Sequence, residues 1–160
     1  MTSSHCSSRP IVLVDDEPLI LETFGLLLRS HLKCDVYTFS SPFDALQQLV
    51  SINPGIIISD YSMPGMTGLK FFARAQKFLP RTNFVLITGG AADFSADELD
   101  PVTALKGILR KPLHWKVLAE FVVSNWPDAV RPTVQETVLV HSTRLLIRGS
   151  ETARADCAND

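Results

Sequence analysis

Long apolar runs are missing from this chain of 160 residues. No hydrophobic stretch approaches the roughly 18 residues of a membrane-spanning helix. The polar N-terminus, MTSSHCSSRP, lacks the apolar centre of a signal peptide. Cysteine is scarce: Cys6, Cys34 and Cys157 are odd in number and scattered. They form no CxxC or Cys/His spacing, which argues against a zinc site and for reduced thiols in the cytoplasm. Positive charge is not in excess either. Lys and Arg total 15 against 17 Asp and Glu, for a net charge of −2, and the pI is about 6.1. That balance offers no basic footprint for nucleic acid or for an anionic membrane surface. What is present, 46% hydrophobic and 20% charged residues, suits one soluble domain with a short tail.

Strand-length apolar runs alternate with helix-length amphipathic ones. PIVLVD, CDVYTF, GIIISD, NFVLIT and LKGILRKP read as strands. PLILETFGLLLRSH, SPFDALQQLVS, GLKFFARAQKFL, SADELDPVTAL and LHWKVLAEFVVSNW read as the helices that follow them. In the first helix, Leu19, Thr23, Leu26, Leu27 and Ser30 fall near one stripe; in the third, Leu69, Phe72, Ala73 and Gln76 do. Ser41 before Pro42 is a strong helix start, a side-chain cap followed by a residue preset for the first turn. Ser95 is a weaker candidate cap for the fourth helix. Strands apolar on both faces, alternating with helices, predict an α/β fold: a five-stranded parallel sheet covered on both sides. Right-handed crossovers make it a doubly wound (βα)5 three-layer sandwich. The folded unit is expected over 10–126, with a flexible leader at 1–9 and a tail at 127–160, partly ordered or disordered.

In such sheets the site lies at the carboxyl ends of the strands. The first strand ends in Asp15-Asp16 with Glu17 next, the third in Asp60, the fourth in Thr88-Gly89-Gly90 and the fifth in Lys111-Pro112. Two carboxylates about 4 Å apart repel by roughly 4 kcal/mol at an effective dielectric near 20. Acids converging on one rim therefore need a cation, and an all-oxygen donor set that keeps several waters suits Mg2+. An acid beside such a metal can act as nucleophile toward a phosphoryl group, with an ammonium and a hydroxyl to hold the transferred oxygens. Glu17 reads as a first-turn helix acid favoured by the dipole rather than as a ligand.

The set VDDEP, SDYSMPGMTG, LITGG and RKPL, in that order over about residues 10–126, resembles the receiver domain of two-component response regulators. The resemblance implies a flavodoxin-like, CheY-like fold. It implies that Asp60 accepts a phosphoryl group from a sensor histidine kinase or phosphotransfer protein, and that Mg2+ is held by Asp16 directly, Asp15 largely through water, Asp60 and the Ser62 carbonyl. It assigns Thr88 as the switch hydroxyl and Lys111 as the phosphate-pairing lysine, aimed by a cis peptide before Pro112. The implied protein is a cytoplasmic signalling phosphoacceptor rather than an enzyme. Its outputs would be a downstream protein or a homodimer through the face of the fourth helix, fifth strand and fifth helix.

The chain departs from the pattern three residues before the lysine. Ile108 stands where the family carries an aromatic switch ring, which puts the usual output coupling in doubt. Ser62 and Gly90, small residues beside the phosphoryl position, imply an intermediate phosphoryl lifetime that a decay measurement would read. The fifth helix is apolar nearly all round, so the tail or a partner is expected to cover it. The rival readings are a receiver cut from a hybrid kinase or longer regulator, and a phosphate-independent binding module motivated by Ile108. A Mg2+-dependent phosphatase is disfavoured, because that chemistry wants an acid where Ser62 stands.

Overall fold

The computed structural model describes residues 8–90, 104–128, 130–132 and 134. The sheet is built from β1 (Ile11–Val14), β2 (Val36–Phe39), β3 (Ile56–Asp60), β6 (Asn83–Thr88) and β7 (Leu105–Arg110). Their order is β2-β1-β3-β6-β7, and every pair is parallel. Between β3 and β6 a two-residue hairpin, β4 (Ser62–Met63) and β5 (Met66–Thr67), lifts the chain off the sheet. The helices are α1 (Pro18–Leu32), α2 (Pro42–Ile52), α3 (Gly68–Gln76) and α4 (Trp115–Ser124). This α4 is the fifth helix expected from the sequence. The expected fourth helix, with Ser95, and most of the tail lie outside the described residues.

Alternation within the strands explains the layers. Ile11, Leu13, Ile56, Ile58, Val85 and Ile87 join Leu21, Leu28 and Leu32 of α1 and Leu118, Ala119 and Val122 of α4 in one cluster. Val12, Val14, Ile57, Phe84 and Leu86 point the other way, into Ala45 and Leu49 of α2 and Phe71, Phe72 and Ala75 of α3. Each large side chain buried this way stabilises the fold by roughly 1.5–3 kcal/mol relative to exposure. The central strands β1, β3 and β6 are wetted on neither face and so are largely apolar, whereas the edge strands β2 and β7 are partly exposed.

Helix starts follow the local chemistry. Ser41 Oγ accepts from the Asp44 N–H, and Pro42 opens α2. Thr67 caps α3 through the Lys70 N–H. Two helix faces differ from the sequence expectation. Of the first-helix stripe of Leu19, Thr23, Leu26, Leu27 and Ser30, all but the half-buried Leu27 face solvent, with Leu19 73% and Leu26 63% exposed. The buried stripe is Leu21, Gly25, Leu28 and Leu32. Gly25 explains the choice, because a Cβ there would lie 2.9 Å from Thr38 Cγ2, so α1 lies close on β2 along this line. In α3 the buried set is rotated to Phe71, Phe72 and Ala75, while Ala73 is exposed. The apolar girth of α4 is largely used against the sheet. Trp126, just beyond it, is 5% exposed and covers Gly55, while Trp115, Phe121 and Val123 are half-buried on the same cluster.

At the amino ends of the strands, Arg9 ties the chain start into the fold. Its guanidinium donates to the carbonyls of Asn53, Pro54 and Arg81, to Thr82 Oγ1 at 3.0 Å and to Asp128 Oδ2 at 3.3 Å. It thereby joins the turns before β3 and β6 to the chain after α4. Arg9→Ala leaves several of these acceptors unpaired and is expected to cost about 1–3 kcal/mol. Urea unfolding at neutral pH checks this; an unchanged midpoint would show the clasp to be superficial.

Candidate functional site

The chain order reverses beside β1, and the crevice there is rimmed by the residues that end β1, β3, β6 and β7. Asp15 directly follows β1 and is 1% exposed; Asp60 ends β3 and is 6% exposed; Thr88 ends β6 and is 3% exposed. Lys111 follows β7, and its peptide to Pro112 is cis, as the resemblance implied. These four residues meet. Lys111 Nζ lies 2.8 Å from Asp60 Oδ1 and 3.0 Å from Asp15 Oδ2. The Lys111 N–H donates to the Thr88 carbonyl at 2.7 Å, which fixes the lysine to the strand end that carries the hydroxyl.

Each buried acid has a second support. The Glu17 N–H donates to Asp15 Oδ1 at 2.9 Å, and the Ser62 N–H donates to Asp60 Oδ2 at 2.6 Å. Burial pushes the Asp15 carboxyl above the ordinary aspartate value. The Glu17 N–H and the Lys111 ammonium pull it back, and the Asp60 charge pushes it up again. Burial would lower the Lys111 ammonium, but its hydrogen bonds to Asp60 and Asp15, with their charges, hold it well above the ordinary lysine value. The centre is thus a charged cluster closed by one cation.

Among the described residues, Thr88 Oγ1 has weak company, the Gly90 carbonyl and N–H, both at 3.5 Å. At that distance neither contact holds the hydroxyl firmly. Ile108 is half-buried on β7 and packs against the α2–α3 cluster. A branched aliphatic side chain there has no ring to swing.

Asp16 and Glu17 differ in their surroundings. Asp16 is exposed, and no ion pair or hydrogen bond engages its carboxylate among the described residues. Glu17 is the N-cap of α1 but makes no side-chain cap bond. Its Oε1 instead lies 3.2 Å from Lys111 Nζ. Sequence reasoning placed Glu17 in the first turn; the bend into Pro18 leaves it outside the helix, at the rim. Its signal was available as a third consecutive acid opposite a lysine.

The donor chemistry fits a hard divalent cation. Two buried carboxylates already share one positive group, the ammonium of Lys111, and such all-oxygen surroundings are what Mg2+ takes. No group of three or more acid, histidine or cysteine side chains is arranged to hold a metal ion among the described residues, where Asp15, Glu17 and Asp60 gather on the Lys111 ammonium.

Gly68 makes the loop after Asp60 possible. A Cβ there would lie 2.6 Å from the Asp60 carbonyl oxygen and 2.6 Å from Leu86 Cδ2. Backbone cannot give way as a flexible side chain can. Gly68→Ala is therefore expected to cost about 1–3 kcal/mol and to shift the Asp60 loop. Thermal unfolding, with the amide spectrum of residues near Asp60, measures both; an unshifted spectrum would show that the loop tolerates the methyl group.

The sequence model of the response regulator receiver domain matches residues 11–122. Among curated proteins, the chain is 35% identical over 155 residues to the transcriptional regulatory protein GlrR of Escherichia coli (strain K12), covering 94% of this chain and 34% of that protein. Among solved structures, an uncharacterized protein from Neptuniibacter caesariensis matches with a TM-score of 0.67 at 31% identity, over 76% of this chain and 89% of that one. A response regulator receiver domain protein from Clostridium thermocellum shares the fold, with a TM-score of 0.64 at 24% identity over 72% and 92% of the two chains. The chain spans between 25% and 34% of the length of the first curated relatives it matches. No helix among the described residues is long and apolar enough to cross a membrane. On the family match, which takes in all five parallel strands, the chain belongs to the response regulator receiver domain family.

Proposed function

We propose that Asp60 accepts a phosphoryl group from a phosphohistidine donor, a sensor histidine kinase or phosphotransfer protein, and that the phosphorylated chain changes its protein contacts. The observation that carries this reading is the state of the Asp60 carboxylate. It is buried to 6% exposure, with one oxygen on the Lys111 ammonium and the other on the Ser62 N–H. Both of its oxygens are thereby oriented at the carboxyl end of β3, in the crevice of the sheet.

In the transfer, a bond forms between an Asp60 carboxylate oxygen and phosphorus. The P–N bond of the donor breaks, and its electron pair stays on the imidazole nitrogen. Lys111 balances the added negative charge, the Ser62 N–H orients the carboxylate, and the Thr88 hydroxyl turns to an oxygen of the new phosphoryl group. Asp15, Asp16, Asp60 and the Ser62 carbonyl would hold Mg2+. When bound, Mg2+ supplies positive charge to the transferred oxygens. The chain acts in this reading as a signalling phosphoacceptor in the cytoplasm, catalysing only its own phosphorylation and dephosphorylation. Its target is a downstream protein or a second copy, through the face that includes β7 and α4.

The test is incubation with a small phosphodonor and Mg2+, read by intact mass, with a parallel arm in chelator. One added phosphoryl group that depends on Mg2+ supports the reading; no added mass at saturating donor overturns it. A second reading, a receiver that signals without phosphate, is favoured by Ile108 alone and predicts that negative result.

A further inference from the structure

Every oxygen of the two buried carboxylates is already engaged. Asp15 Oδ1 and Asp60 Oδ2 accept backbone N–H groups; Asp15 Oδ2 and Asp60 Oδ1 hold the Lys111 ammonium at 3.0 and 2.8 Å. A divalent cation binding this pair must share or displace that ammonium. The third partner of Lys111 is different in kind. Glu17 Oε1, 3.2 Å away, belongs to a side chain that is 63% exposed. No cap hydrogen bond restrains it, so it can follow the ammonium outward.

We infer that Glu17 is a positioning residue that draws Lys111 toward the rim and so sets how strongly the ammonium competes with a divalent cation for Asp15 and Asp60. The inference deepens the phosphoacceptor reading and rests on it. Without Glu17, the ammonium keeps the two buried carboxylates as its partners among the described residues and settles on them more fully. With Glu17, a cation entering between Asp15 and Asp60 leaves Lys111 one carboxylate to keep. The exposed acid thereby eases the exchange of one positive group for another.

A double-mutant cycle on Mg2+ affinity, measured by titration calorimetry at fixed ionic strength, tests this. Glu17→Gln is expected to weaken Mg2+ binding about two- to fivefold, the range of one partly exposed ion pair. In a Lys111→Met background the same change should act by a clearly smaller factor, because no ammonium remains to be repositioned. In a Lys111→Arg background, which keeps the charge, the full factor should return. Circular dichroism verifies folding, and Lys111→Gln serves as the neutral background should the methionine variant not fold. Equal factors in charged and neutral backgrounds would mean that Glu17 acts only as a distant negative charge, and would overturn the inference. So would an unchanged affinity in Glu17→Gln. A wild type that binds Mg2+ and gains phosphoryl while the factors are equal sinks the inference alone; a wild type that binds no Mg2+ sinks the metal-assisted reading with it.

Discussion

Asp60→Asn protein, given a small phosphodonor and Mg2+ at concentrations that fully modify the wild type, is expected to gain no phosphoryl mass. The expectation is all or none because the amide cannot form the acyl phosphate, whereas the other acids of the rim are badly placed to replace it. Asp15 is 1% exposed and held at both oxygens. Asp16 is exposed and has no ammonium against it among the described residues. Glu17 pairs with Lys111 but lies out at the surface. Asparagine keeps the shape of the residue and still offers an oxygen to the Ser62 N–H, so the loop after β3 has little reason to move. Residual mass gain in the variant would relocate the nucleophile, and peptide mapping would say where.

The second large effect concerns stability. Lys111→Met leaves Asp15 and Asp60 buried side by side without their shared cation. Breaking a buried pair from one side costs several kcal/mol; because Lys111 is 22% exposed, about 2–3 kcal/mol is expected at neutral pH in chelator. The pH dependence has a definite sign. In the wild type, the folded-state Lys111 ammonium is held above its ordinary value, so its contribution is present below that value and fades only as pH rises through the elevated one. Neutral and acidic conditions leave it intact. In the variant, burial and the Asp60 charge still push Asp15 up, and the ammonium no longer pulls it down. A carboxyl raised on folding stabilises at low pH and loses that contribution as pH rises through its folded value. The variant's deficit should therefore shrink as pH falls from neutral toward about 4, near the unfolded carboxylate value. Urea unfolding of both proteins across that range reads it, and a deficit independent of pH would show that the two acids do not depend on Lys111. Phosphorylation should slow by on the order of 10²-fold, the usual effect of removing one preorganised donor.

Much of this was legible in the sequence, for identifiable reasons. Parallel strands wetted on neither face must be apolar throughout, so runs such as Ile56–Ile58 and Val85–Ile87 declare themselves. The placing of candidate site residues at strand ends follows from the same reading, and Asp15, Asp60, Thr88 and Lys111 do converge. The helix faces were less legible. In α1 leucines occupy more than one face, and the choice was made by Gly25, whose missing side chain admits Thr38. A periodicity count cannot see that contact. The β4–β5 hairpin was missed because two-residue strands have no pattern; its cue was Pro64-Gly65, with Gly65 at φ 78° where the turn needs it. Arg9 was read as leader because its partners are carbonyls spread along the chain, and backbone acceptors leave no trace in a sequence. Glu17 is the instructive case, because the helix rule for acids was sound but Pro18 moved the helix start past it.

The chain has two tryptophans, and they bracket α4. Trp126 is sealed over Gly55 at the amino ends of the strands. Trp115 opens α4 half-buried, edge-on to His31 at 5.2 Å and stacked with His114 at 5.9 Å. The protein therefore carries its own optical reporters. Emission from the sealed indole reads the integrity of the sheet. Emission from Trp115, with imidazoles on two sides, reads the start of the helix that follows Lys111. A change of state that begins at Asp60 and reaches α4 can be followed in real time without attaching any dye.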